Sequence, residues 1–177
     1  MLCFPHFRPL KPDEEKTLDE DVAQEDDSQR LLQAGMALQK KHLRILAIDE
    51  TSANRLDLER IISQAGHSAI LSCSGMEGLQ EMKKAQVDEA YGKKDQCFDL
   101  VILGHLYQGI SVTKVIQRIR SQDHPCMVLG VANEATTELA VFQSAEVDGI
   151  LTKPLTAAKL KKAIVGACIM GNIGEFE

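Results

Sequence analysis

The sequence predicts an α/β fold of three layers, in which a five-stranded parallel sheet is covered on both faces by five helices. Three observations predict it. From Leu43 onward, apolar runs of four to seven residues alternate with segments of helical period. The runs are nearly continuous, as strands buried on both faces are, and do not alternate with polar residues. Each helical segment carries a single aliphatic stripe, the signature of a helix laid on a sheet.

The strands are expected over 43–49, 68–73, 98–103, 126–132 and 149–152. Between the first two, Leu58, Ile61, Ile62 and Ala65 stand at i, i+3, i+4 and i+7 of one helix. Met76, Leu79 and Met82 mark the second helix. The charged stretch from Lys83 to Gln96 is long for a short loop, so either that helix is extended or a loop is exposed there. Val112, Val115, Ile116 and Ile119 repeat the helical spacing, as do Leu160, Ala163, Ile164 and Ala167. The Thr136-Thr137 pair starts a fourth helix with Leu139 and Phe142 inside. Right-handed crossovers leave few topologies, and the flavodoxin-like strand order 2-1-3-4-5 is the one expected, with a ligand site at the carboxyl ends of the strands.

Residues 43–168 thus form the domain. Residues 1–27 contain prolines and then an acidic run with too little apolar content for a core, and are read as a disordered acidic tail. Residues 28–42 are a helix or linker, in which Gly35 costs about 1 kcal/mol relative to alanine. Residues 169–177 are a C-terminal tail. The net charge of −6 is concentrated, because residues 13–27 hold nine acids and one lysine and the rest of the chain sums to +2. A nearly neutral body without a dense basic stripe argues against a nucleic-acid surface. The five cysteines show no CxxC spacing and are read as reduced structural thiols, with Cys73, Cys126 and Cys168 in apolar stretches. No apolar run of membrane-spanning length and no secretory leader are seen, so a cytoplasmic protein is expected.

The ends of the strands carry the functional reading. The first strand closes on Asp49-Glu50, with Asn54-Arg55 following, and the fifth closes on Thr152-Lys153-Pro154. Together with the strand from Asp99 to Leu103 and the helix end Ile119-Arg120, these resemble the receiver domain of response regulators in two-component signalling. The resemblance covers residues 43–168. It implies an acidic pocket at Asp49 and Glu50 that can hold Mg²⁺ weakly, although no cofactor is required. It also implies a pocket lysine, Lys153, whose bond to Pro154 is often cis in that family. With no acid opposite, Lys153 is expected to pair with Asp49 or Glu50.

The departures are informative. Where the family carries its phosphoacceptor aspartate, at the end of the third strand, this chain has Gly104. The family's proline in the next loop is Gln108, and its Asp-Gly pair is Ser111-Val112. Val131 replaces the switch hydroxyl, and valine offers no hydrogen bond. Ile150 stands where an aromatic switch residue is common. Acceptor, hydroxyl and aromatic are lost together. The expectation is a pseudo-receiver that acts by protein–protein binding, with no nucleic acid or membrane partner. Its partner would be a histidine kinase, a phosphotransfer protein, an output domain or a second copy, met through the fourth helix, fifth strand and fifth helix.

Two other readings compete. His105 could join Asp49 and Glu50 as an extra metal ligand, or a residue such as His105 or Glu50 could accept a phosphoryl group instead. Successive strand residues point to opposite faces, however, which works against His105 reaching the acids. An enzyme is not expected: neither G-x-G-x-x-G nor G-x-x-x-x-G-K-[ST] nor G-x-S-x-G occurs. His67 and His124 are read as ordinary turn residues.

Overall fold

The computed structural model describes residues 42–93, 96–121, 126–133, 137–145 and 147–170. The expected tail over 1–27, the helix or linker before His42, His124 and the end of the chain after Met170 lie outside them. Among the described residues ten elements alternate in chain order. They are β1 (Arg44–Ile48), α1 (Ser52–Ala65), β2 (Ser68–Ser72), α2 (Gly75–Ala90), β3 (Leu100–Leu103), α3 (Val112–Arg120), β4 (Met127–Ala132), α4 (Thr137–Ser144), β5 (Gly149–Thr152) and α5 (Ala157–Met170). The strands form one parallel sheet in the order β2-β1-β3-β4-β5, so the fold and strand order follow the sequence expectation.

The sheet separates two apolar layers. On one side Ile45, Ala47, Ile102, Leu129 and Leu151 pack with Leu58, Ile61 and Ile62 of α1 and with Leu160, Ile164 and Ala167 of α5. On the other, Leu46, Ile48, Val101, Leu103 and Val128 meet Leu79 and Met82 of α2, Val115, Ile116 and Ile119 of α3, and Phe142 of α4. Burying each of the larger side chains contributes about 1.5–3 kcal/mol, which is why the aliphatic stripes dictate the layers. One stripe member departs from expectation. Met76 is 48% exposed, because the inward face of α2 is built from Gly75, Gly78, Leu79, Met82 and Ala85. A Cβ at Gly78 would collide with Ile48, so α2 lies closer to β1 than any larger residue allows.

The long charged stretch resolves as an extended helix, since α2 continues to Ala90. At its start the cap Ser74 Oγ accepts from the Glu77 N–H, and the Glu77 carboxylate reaches back to the Cys73 N–H, one residue before the cap. Cys73 itself is exposed although its stretch of sequence is apolar: it lies past the end of β2, where strand alternation no longer sets its side. Cys126 is buried, and burial pushes its thiol up to about 11. At the amino-terminal edge of the sheet, Asp148 Oδ2 accepts from Arg120 Nη2 at 2.8 Å and from the Val128 N–H at 2.6 Å, while Arg120 Nη1 donates to the Cys126 carbonyl at 3.0 Å.

His67 is more than a turn residue. Its Nδ1 accepts from the Leu43 N–H at 3.3 Å, tying the start of β1 to the α1–β2 turn. Burial, then the neighbouring His42 and Lys161, hold its pKa below the ordinary 6.5, with Asp99 pulling the other way. The stability it contributes is therefore complete above the unfolded-state value of about 6.5 and is lost as pH falls through the lower folded value. Urea midpoints at about pH 7.5 and about pH 5.5 should differ more in the wild type than in His67→Gln. Equal differences would sink this assignment.

Candidate functional site

Asp49, one residue past β1, is 1% exposed, and its carboxylate is surrounded by donors. Oδ1 accepts from the Thr51 N–H at 2.7 Å and from Asn54 Nδ2 at 3.2 Å. Oδ2 accepts from Asn54 Nδ2 at 3.1 Å and from the His105 N–H at 3.2 Å. A buried carboxylate survives only with such partners. Arg55, one residue on, turns its guanidinium back to the carbonyls of Asp49 at 2.7 Å and Glu50 at 3.0 Å. The β1–α1 connection is thus held by its own first helical turn.

Gly104 directly follows β3, and its N–H donates to the Ile48 carbonyl at 2.7 Å. It carries no carboxylate, and it has no room for one as the site stands. A Cβ built at Gly104 would overlap Asp49 Oδ2 and stand 2.6 Å from Asp49 Cγ. The Asp49 carboxylate fills the space that a side chain at 104 would use.

Glu50 points elsewhere. Its carboxylate accepts from the Tyr107 N–H at 2.8 Å and from the Gln108 N–H at 3.0 and 3.1 Å, latching the loop between β3 and α3. In return, the Glu50 N–H donates to the His105 carbonyl at 3.3 Å. The His105 ring lies against Tyr107, with centroids 3.7 Å apart. His105 meets Asp49 through its backbone N–H, and the competing cluster of two carboxylates and a histidine does not form. Among the described residues, no three His, Cys, Asp or Glu side chains gather to hold a metal ion.

Lys153 is also placed differently from expectation. Its ammonium donates to Asn54 Oδ1 at 3.0 Å rather than to a carboxylate. Asn54 intervenes because its amide presents Nδ2 to both Asp49 oxygens and Oδ1 to the lysine, linking two charges through a neutral bridge. The Lys153–Pro154 bond is cis. Val131 is buried in the apolar layer with Leu129 and Leu151, and Ile150 is half-buried against the opposite layer. Neither brings a polar atom to the site.

Mg²⁺ asks for near-octahedral oxygen coordination at about 2.0–2.1 Å. Here all four carboxylate oxygens of Asp49 and Glu50 accept from N–H groups, and position 104 supplies no oxygen side chain. As arranged, this donor set does not fit the ion. Sequence reasoning missed Asn54 as the central bridge and Glu50 as a latch. The Asn54-Arg55 pair was visible, but nothing in the spacing says which way an amide or a carboxylate turns. Beside the latch lies an open cleft of about 550 Å³ lined by Glu50, Cys73, Met76 and Ile110.

No model of a known protein family matches the sequence, and no curated protein matches it either. Solved structures do. The chemotaxis response regulator CheY4 of Vibrio cholerae is 18% identical, with 72% of this chain and 99% of that chain covered at a TM-score of 0.54. A response regulator receiver domain protein from Clostridium thermocellum is 21% identical over 71% of this chain and 93% of its own, at 0.56. The receiver domain of a sensor histidine kinase from Pseudomonas aeruginosa, whose active-site cleft coordinates magnesium, is 17% identical over 73% and 98%, at 0.57. Strand order, five helices and this likeness agree: the chain has the receiver fold.

Proposed function

We propose that this chain is a degenerate receiver domain of two-component phosphorelay type, which works by protein–protein binding and does not accept a phosphoryl group at the usual position. One observation carries the reading: the residue that follows β3 is Gly104, and the neighbouring acid, Asp49, occupies the space above it. Asp49 is itself fixed by three N–H donors and reaches Lys153 only through Asn54. A phosphoryl switch needs an acceptor and a second conformation that the modification favours. This site offers neither a carboxylate at 104 nor a hydroxyl at 131.

The binding face is assigned to α4, β5 and α5, where Val141 is 41% exposed. The partner is a histidine kinase, a phosphotransfer protein, an output domain or a second copy. This mode of action needs no cofactor.

Intact mass after incubation with Mg²⁺ and a small-molecule phosphodonor is the test. The mass is expected to stay unchanged. A gain of one phosphoryl group overturns the reading and moves attention to the mapped acceptor. Gly104→Asp is not a clean control, since its Cβ meets the same Asp49 oxygen.

A further inference from the structure

Among the described residues β5 is the last strand of the sheet, and one edge of its backbone faces no neighbouring strand there. Beside that edge, β5 and α5 enclose a groove of about 440 Å³. Its floor is apolar, with Leu151, Ala163 and Ala167, and a Cβ at Gly166 would meet nothing. Its rim is cationic. Lys159 and Lys162 line it, with Lys159 Nζ held at the wall by the Thr152 carbonyl at 3.1 Å. An ammonium has three donors, so this bond leaves Lys159 able to take an anionic partner. Helix α5 carries three lysines and no carboxylate. The groove's one acid, Asp148, is already tied to Arg120 at 2.8 Å.

We propose that this groove is the docking site of the chain's own acidic segment, residues 13–27. The segment lies outside the described residues, and its chemistry complements the groove on two counts. It holds nine carboxylates against one lysine, and within that acidic run stand two large apolar residues, Leu18 and Val22, four positions apart. Acids would meet the lysine rim while an aliphatic side chain enters the floor. Reach is sufficient. The 14 residues from 28 to 41 span up to about 46 Å when extended, whereas β1 and β5 are three strand spacings apart, about 15 Å. The inference goes beyond the phosphorylation reading and stands without it. It makes the acidic segment a built-in competitor for any external partner of β5 and α5.

Zero-length carbodiimide cross-linking of the full chain, with peptide mapping, tests it. A mixture of isotopically labelled and unlabelled chains separates contacts within one chain from contacts between two. Carboxylates of residues 13–27 are expected to join Lys159 and Lys162 within one chain, well ahead of Lys83, Lys84 and Lys114. The yield should fall severalfold as salt rises from about 0.05 M to about 1 M, where the screening length shrinks to about 3 Å. Lys162→Gln should lower the yield at Lys159 as well. Cross-links spread evenly over the lysines, links mainly between chains, or yields indifferent to salt would each overturn the assignment.

Discussion

Gly104→Ala is expected to lower the unfolding free energy by about 1–3 kcal/mol, as overpacking a filled site does. The new methyl would overlap Asp49 Oδ2, and Asp49 is poorly able to move. Its two oxygens serve the Thr51 and His105 N–H groups and the Asn54 amide, and turning away would orphan buried donors. The cause can be isolated by a double-mutant cycle. Asp49→Ala is destabilising by itself because it strands those donors, but it also clears the space above residue 104. The double variant Gly104→Ala/Asp49→Ala should therefore cost less than the two single changes added together, with a coupling of about 1 kcal/mol or more. Denaturant titration reads all four corners. Strict additivity would mean that Gly104 and Asp49 do not share that space.

Asp148→Ala should cost about 2–3 kcal/mol, a large loss for one partly exposed residue. Asp148 Oδ2 receives two charge-assisted bonds, from Arg120 Nη2 at 2.8 Å and the Val128 N–H at 2.6 Å. Those bonds join the end of α3 to the first residues of β4 and β5. Removing the carboxylate takes one acceptor from a half-buried guanidinium and one from a strand N–H. The exposed pair Arg60–Asp57, with both side chains 60% accessible, is the internal control. Asp57→Ala should change stability by no more than about 0.5 kcal/mol. Equal losses at 148 and 57 would show that the clasp is only another surface pair.

The fold was legible because its determinants are periodic. Leu58, Ile61, Ile62 and Ala65 are all buried, and the strand runs differ from the observed strands by a residue or two at their ends. Legibility failed where burial is set by something other than a large apolar side chain. Helical spacing puts Met76 in the inner stripe, but Gly75 and Gly78 form that contact, and glycine leaves no mark in a hydrophobic pattern. In the site, the absence of a carboxylate at 104 could be read directly, and so could the position of Lys153. Its partner could not. Pairing the lysine with an acid followed from charge alone, whereas the structure interposes Asn54, whose amide satisfies a cation and a carboxylate at once. Glu50 was read as half of an acidic pair. Its direction depends on where the loop after β3 presents its N–H groups, which no local spacing encodes.

That latch has a consequence for time rather than for shape. Tyr107 and Gln108 are among the most solvent-facing residues of the loop, with Tyr107 70% exposed, yet both amides are bound to Glu50. Accessibility to water and availability for exchange part company there. Hydrogen exchange at these two amides therefore waits on the opening of the Glu50 latch, and its rate reports how often that carboxylate lets go.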